Sequence, residues 1–225
     1  MKRKYGITNF IGGLLAGLVF LGISGYQKYN EMKPAIDITD PDFDYSTLKP
    51  GDHVKCKIFF VMDSAVVYSE ESSSKKTTET SRTYCLPHLS DDGEYINMDA
   101  FMGLNVRRAD YDKLDELAEI SNKWWNMESD VELGKVTYKL DGTVKKMATE
   151  EEKYFREYVE DCGGDTDQIV ALKVSPISGA SNVGLVLGGV ITAIFTVLIV
   201  LRIKEVNRDN KREPMQVEGY EGPLC

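Results

Sequence analysis

Side chains fit for catalysis are scarce in this chain of 225 residues. It has only two histidines, His53 and His88, and four cysteines, Cys56, Cys85, Cys162 and Cys225. No G-x-S-x-G elbow presents a nucleophile, and no G-x-x-x-x-G-K or G-x-G-x-x-G turn is available to cradle a phosphate. Four cysteines are too few for a disulfide-built scaffold. No N-x-S/T glycosylation acceptor occurs. Positive charge is also short. Between Gln27 and Asn182, nineteen Lys and Arg face thirty-one Asp and Glu, a net charge of -12 against -9 for the whole chain. That surface repels phosphate backbones, so no nucleic-acid partner is expected. The same acidity fits binding of cations or basic partners, although a solvated surface is the plainer account of it.

Charge of either sign is missing from two stretches, Tyr5–Gln27 and Gly184–Leu201. A bilayer core needs roughly 20 helical residues, so both read as transmembrane helices, with the lipid bilayer as partner. The basic start Lys2-Arg3-Lys4 also suits a signal peptide, but no A-x-A cleavage pattern follows and a retained anchor is expected. The resulting organisation is an N-terminal helix over residues 1–27, a domain over 28–182, a second helix over 183–202 and a disordered tail over 203–225. Eight Lys and Arg flank the outer ends of the helices and three, Lys28, Lys33 and Lys173, lie on the domain side. This asymmetry puts both termini in the cytoplasm and the domain outside, in a multi-pass protein of the cell membrane. Gly13 with Gly17 and Gly184 with Gly188 have the small-xxx-small spacing that lets helix backbones approach in lipid. They offer contacts between the two helices, self-association, or a membrane protein partner.

The domain reads as α+β: a small, mostly antiparallel sheet or partial barrel with two amphipathic helices, flanked by the two transmembrane helices. Gln27–Tyr45 reads as a connector. Leu48-Lys-Pro-Gly-Asp52 is a turn, followed by a strand over His53–Met62 with Val54, Cys56 and Ile58 on one face. Ala65–Ser69 returns as its neighbour, and the polar Glu70–Ser81 is expected to be a loop. Arg82–His88 and Glu94–Met98 are further strands about the turn Ser90-Asp-Asp-Gly93. Ala109–Asn126 is a helix with Leu114, Leu117, Ala118 and Ser121 on its core face. Its adjacent Trp124 and Trp125 cannot share a face, so one indole is expected to be exposed. Lys135–Leu140 and Thr143–Met147 form a hairpin about Asp141-Gly142. Thr149 and Glu152 make a capping box for a helix from Glu150, which Gly163-Gly164 stop. Ile169–Val174 is the last strand.

Two constellations draw attention as metal sites. Asp40-Pro-Asp-Phe-Asp44 starts like a calcium loop, but Tyr45 and Gly51 stand where that loop needs Gly and Glu. His53-x-x-Cys56 and Cys85-x-x-His88 supply the donors of a tetrahedral zinc site. On strands, however, a separation of three places the two members of each pair on opposite faces. Buried free thiols are the reading kept; a Cys56–Cys85 disulfide and a zinc site are its alternatives. No cofactor, metal or catalytic residue is assigned. The expected function is a non-enzymatic binding or envelope-assembly module. The alternative is a membrane-bound hydrolase or metal-dependent enzyme built on His53, Cys56, Cys85 and His88.

Leu48-Lys-Pro-Gly-Asp-His-Val54, Tyr84-Cys-Leu-Pro87 and Gly134-Lys-Val-Thr-Tyr-Lys-Leu140 running into Glu150–Gly163 carry a resemblance. With the hydrophobic helix after Ser175-Pro176, the order of parts resembles uncharacterised two-pass membrane proteins of Gram-positive, clostridia-type bacteria, classed as a domain of unknown function. The resemblance implies a bacterial cell-membrane location and carries over no catalytic residue.

Overall fold

The computed structural model describes residues 7–71, 77–91, 96–128, 131–177 and 179–212. The chain divides into two compact units, Met1–Tyr26 with Gly179–Cys225, and Gln27–Ser178.

The first unit is built on α1 (Ile7–Glu31) and α4 (Ala180–Arg212). Both are long and apolar enough to cross a membrane, over Thr8–Glu31 and Ser181–Arg208. Gly13 and Gly17 of α1 and Gly184 and Gly188 of α4 face the other helix. Phe195 covers Gly13, Thr192 Oγ1 would lie 2.6 Å from a Cβ at Gly17, Leu21 packs on Gly188 and Ser24 on Gly184. Any side chain at these positions would push the backbones apart. Leu15, Val19, Phe20, Val186, Val190 and Val197 lie on exposed outer faces. α4 does not end at the last apolar residue: it continues to Arg212, so the expected disordered tail is helical over 203–212, and its remainder lies outside the described residues.

The second unit is a seven-stranded sheet with helices on both faces. Its strands are β1 (Ala35–Ile36), β2 (His53–Ile58), β3 (Ser64–Glu71), β4 (Thr77–Asp91), β5 (Ile96–Arg107), β6 (Tyr138–Lys146) and β7 (Ile169–Pro176). The order is β1-β2-β6-β7-β5-β4-β3. β1 with β2 and β5 with β7 are parallel; the other neighbours are antiparallel. The expected small, mostly antiparallel sheet or partial barrel is therefore corrected to an open mixed sheet. The parallel joint at its centre arises because the chain leaves β5 through α2 (Tyr111–Trp125), lays down β6, and returns through α3 (Thr149–Asp161) to place β7 between them. A parallel neighbour needs such a crossover, which local strand patterns do not reveal.

Alternation along the strands sorts the core into two layers. Val54, Cys56 and Ile58 of β2, Tyr84 and Leu86 of β4, and Met102, Leu104 and Val106 of β5 pack with Leu114, Leu117 and Ala118 of α2. On the opposite face, Cys85, Phe101 and Ile169 pack with Phe155 and Val159 of α3. The turn before β2 is as expected: Asp52 N–H donates to Lys49 O at 3.0 Å, and Gly51 takes φ +91°.

Five local expectations are corrected. Ala65–Ser69 lies in β3, which pairs with β4 at the far edge of the sheet and not with β2. Asp141-Gly142 is no hairpin turn but the middle of β6, where Asp141 pairs with Lys55 and Gly142 with both Val54 and Pro176. The polar run Glu70–Ser81 is strand at both ends, in β3 through Glu71 and β4 from Thr77; residues 72–76 lie outside the described residues. Of Ser90-Asp-Asp-Gly93, Ser90 and Asp91 belong to β4 and the rest lies outside them. The capping glutamate of α3 is Glu151, not Glu152: its carboxylate accepts from Ala148 N–H at 3.3 Å, with Ala148 rather than Thr149 at the cap position.

Glu151 also makes a polar tie in the second core layer. Its side chain is buried, and it accepts from Lys173 Nζ of β7 at 2.6 Å and from Thr83 Oγ1 of β4 at 2.9 Å. Asn105 Nδ2 donates to the same Thr83 hydroxyl at 3.2 Å, and Lys173 Nζ lies 5.3 Å from the centre of the Tyr68 ring. Burial alone would raise the Glu151 pKa, but hydrogen bonds from Lys173, Tyr68 and Thr83 outweigh it and hold the carboxyl below its usual value.

Both α2 and α3 end in a Schellman motif. In α3, Gly164 N–H bonds Val159 O and Gly163 N–H bonds Glu160 O, with Gly163 at φ +81°. In α2, Glu128 N–H bonds Lys123 O and Met127 N–H bonds Trp124 O, but the left-handed position holds Met127 at φ +56°. A left-handed conformation costs an L-residue roughly 1 kcal/mol, and the Met127 side chain is 92% exposed. Met127→Gly is therefore expected to raise the stability of the domain by about 0.5–1 kcal/mol in thermal unfolding, with no loss of contacts.

Candidate functional site

The four residues of the His/Cys constellation do not converge. His53 bridges Lys33 O at 3.0 Å and Asp141 Oδ1 at 2.9 Å. That bond, with Lys55 nearby, holds the Asp141 carboxyl below its usual value. His88 lies between Asp99 Oδ1 at 2.6 Å and Asp40 O at 3.1 Å, with its ring against Tyr45. Cys56 and Cys85 belong to opposite core layers. Their strands are four steps apart in the sheet, about 19 Å at 4.8 Å per step, far beyond the ~6 Å between Cα atoms of a disulfide. Burial pushes the Cys56 thiol up to about 12 and raises Cys85 as well, so both are inert small hydrophobes. Of the calcium-like run, Asp40 caps Asp42 N–H and Asp44 caps Ser46 N–H at the start of a short 3-10 turn. Among the described residues, no group of three or more His, Cys, Asp or Glu stands close enough to hold a metal.

An apolar concave feature of the domain is assembled elsewhere. After β2 the chain crosses the end of the sheet through Phe59–Asp63 to reach β3 on the far edge. Three ties fix this crossing, one of them from Cys85 N–H to Asp63 O at 3.2 Å. Val61 N–H donates to Ser121 Oγ of α2 at 3.1 Å, and Met62 N–H donates to Cys85 O at 2.8 Å. Between the crossing, the start of β5 and the C-terminal ends of α2 and α3 lies a cleft of about 540 Å³. Phe101 and Val159 are its buried floor, and Phe60, Met62, Met98 and Trp125 its apolar walls. Asn122, Asp165 and Gln168 bring polar groups to the rim, and the exposed Cys162 stands on the wall beside Gly163 and Gly164. The Phe60 ring meets Trp125 edge-on, centroids 6.4 Å apart, and Trp124 at 5.9 Å. Of the adjacent tryptophans Trp125 is the exposed one, at 45%, as the helical spacing required.

A second hollow of about 530 Å³, between β4 and α2, is polar. Arg82 is the hub of a polar network there. Arg82 pairs with Glu79 and, at 2.9 Å, with Asp115, lies 4.3 Å above the Tyr111 ring, and shares Asp115 with Tyr84 OH. This network ties α2 to β4 and leaves the apolar cleft as the stronger candidate.

Sequence reasoning singled out the Trp124-Trp125 pair and the Gly163-Gly164 helix stop but assigned neither to a site, and it did not single out Phe60, Met62, Met98, Phe101 or Asp165. These residues come from four segments, the crossing, β5, α2 and the stretch after α3, that only the crossing over the sheet end unites. No curated protein and no solved structure matches the chain. A family model described as a domain of unknown function, DUF8577, matches residues 3–205, and the chain belongs to that family.

Proposed function

We propose that this is a two-pass membrane protein whose Gln27–Ser178 domain stands outside the cytoplasm and serves as a non-enzymatic binding module. The observation that carries the binding reading is the cleft. Its volume of about 540 Å³ falls within the roughly 300–1,000 Å³ usual for ligand sites, and an apolar floor under a few polar rim groups is the usual composition of one. The membrane reading is supported by two apolar helices whose spans are only 11% and 6% buried, unlike the core helices of a soluble domain. The excess of Lys and Arg beyond their outer ends supports cytoplasmic termini. The resemblance to clostridia-type membrane proteins supports the cell membrane of a Gram-positive bacterium. Gly13, Gly17, Gly184 and Gly188 are taken up between α1 and α4, which favours a helix pair within one copy over self-association through those faces.

Cys162 tests both parts. In intact cells a membrane-impermeant maleimide is expected to label Cys162, with Cys225 labelled only after lysis; the reverse pattern would invert the topology. In lipid nanodiscs, fragments with an aromatic or alkyl body are expected to bind the full chain. Attaching maleimide to Cys162 should abolish that binding, while Cys162→Ser should bind normally and ignore the reagent. Binding that survives the modification would place the ligand elsewhere.

A further inference from the structure

We infer that the ligand of the cleft is a small organic cation, an alkyl- or arylalkylammonium whose apolar body lies on Phe101 and Val159 and whose charge meets Trp125 and Asp165. This rests on the cleft being the binding site. Three independent observations point to positive charge.

The first is the inventory of the walls. Among the described residues that line the cleft, Asp165 alone carries a formal charge, and no Lys, Arg or His joins it. Asp165 Oδ1 accepts from Asp167 N–H at 2.9 Å, which fixes the carboxylate at the rim. Three basic groups on the flanking helices face carboxylates of their own: Lys123 pairs with Glu119 at 2.5 Å, Arg156 with Glu152 at 3.0 Å and Lys153 with Glu157 at 3.7 Å.

The second is helix polarity. The last turn of α2, with Ser121, Asn122 and Trp125, and the stop of α3, with Cys162, Gly163 and Gly164, both line the cleft. Each helix brings its C-terminal, partially negative end there, and such ends favour cations. Two of them at one apolar cleft make an anionic ligand unfavourable in a site that holds no cation of its own.

The third is the aromatic wall. Trp125 is 45% exposed, braced edge-on against Phe60, and so offers indole surface to the cleft. The face of Trp is the strongest π partner of an ammonium group. Met62 and Met98 add soft, adaptable walls that fit an aliphatic or aryl body without fixing its shape.

Three probes with one body separate charge from shape: 3-phenylpropylammonium, 3-phenylpropan-1-ol and 3-phenylpropionate. Each is titrated calorimetrically into the full chain in zwitterionic nanodiscs, with empty nanodiscs as the blank. The ammonium is expected to bind at least about tenfold more tightly than the alcohol, and the propionate most weakly. Trp125→Leu and Asp165→Asn should each weaken the ammonium by about threefold or more and leave the alcohol within about twofold. Equal binding of ammonium and alcohol, or preference for the propionate, overturns the cation inference. If maleimide at Cys162 still blocks that binding, the cleft remains the site. Failure of all three probes to bind overturns the cation inference too, and the fragment experiment above then decides separately whether the cleft binds anything.

Discussion

Replacing Lys173 with methionine is expected to lower the stability of the domain by about 3 kcal/mol, because the change strands a buried anion. Glu151 is only 3% exposed and stands in the first turn of α3, where Lys173 Nζ approaches both carboxylate oxygens, at 2.8 and 2.6 Å. Methionine keeps most of the aliphatic stem but not the ammonium. Thr83 Oγ1, the Tyr68 hydroxyl and Ala148 N–H then remain as neutral donors, too few to solvate a full charge in a layer otherwise made of Phe101, Phe155, Val159 and Ile169. The low end of the 3–5 kcal/mol range for broken buried pairs applies, since the Lys173 side chain retains 16% exposure. The sign of the pH dependence follows from the same group. In the intact protein the folded Glu151 pKa lies below its ordinary value of 4.5, so its contribution is present above that pH and is lost as pH falls through the depressed value. In Lys173→Met that acid-sensitive contribution should vanish, and the deficit against the parent should shrink towards low pH. Glu151→Leu combined with Lys173→Met should recover most of the loss. Urea unfolding followed at pH 7 and pH 4 checks all three; a deficit independent of pH would mean that packing, not charge, explains the effect.

Gly142→Val is expected to cost about as much, roughly 3 kcal/mol, for a steric reason. Gly142 sits in the centre of β6 with β2 on one side and β7 on the other. A Cβ there would lie 2.7 Å from Val174 Cγ1 and 2.8 Å from the Ser175 carbonyl oxygen. The Val174 side chain has some freedom, but the Ser175 carbonyl belongs to the ladder between β6 and β7 and cannot withdraw without opening it. Gly142 does not take a positive φ, so close approach rather than backbone freedom demands glycine here. The control is Gly134, which takes φ +86° and has open space around its Cβ position. Gly134→Ala should lose only the backbone preference, about 1 kcal/mol. Denaturation midpoints compared across the two variants check the contrast; a milder effect at Gly142 than at Gly134 would contradict the ladder argument.

Asp141-Gly142 also shows where local chemistry misleads. Asp-Gly is a strong hairpin signal because both residues tolerate positive φ. Nothing nearby in the chain announces that β7, some thirty residues later, will need a flat surface on which to lie. Glu150-Glu151-Glu152 is a second instance. All three suit the positive end of a helix, so the capping rule cannot choose among them. The choice is made by rotation of α3 as Phe155 and Val159 dock on the sheet. That rotation turns Glu151 inward towards Lys173 and leaves Glu152 to pair with Arg156 at the surface.

What the sequence determined by itself were the features with short-range causes. Uncharged runs of membrane-spanning length, the Lys49–Asp52 turn, the alternation of β2, the core stripe of α2 and the glycine stop at Gly163 all follow from periodicity and backbone preference within a few residues. The exposure of one indole at Trp124-Trp125 follows too, since neighbours on a helix point about 100° apart. Only the tertiary structure decided the strand order, the two parallel joints, the separation of Cys56 from Cys85 and the cleft. Each depends on where a crossover places segments remote in sequence. The cleft in particular needs Phe60 from the crossing, Phe101 from β5, Trp125 from α2 and Asp165 beyond α3, and no periodicity within any one of those segments encodes their meeting.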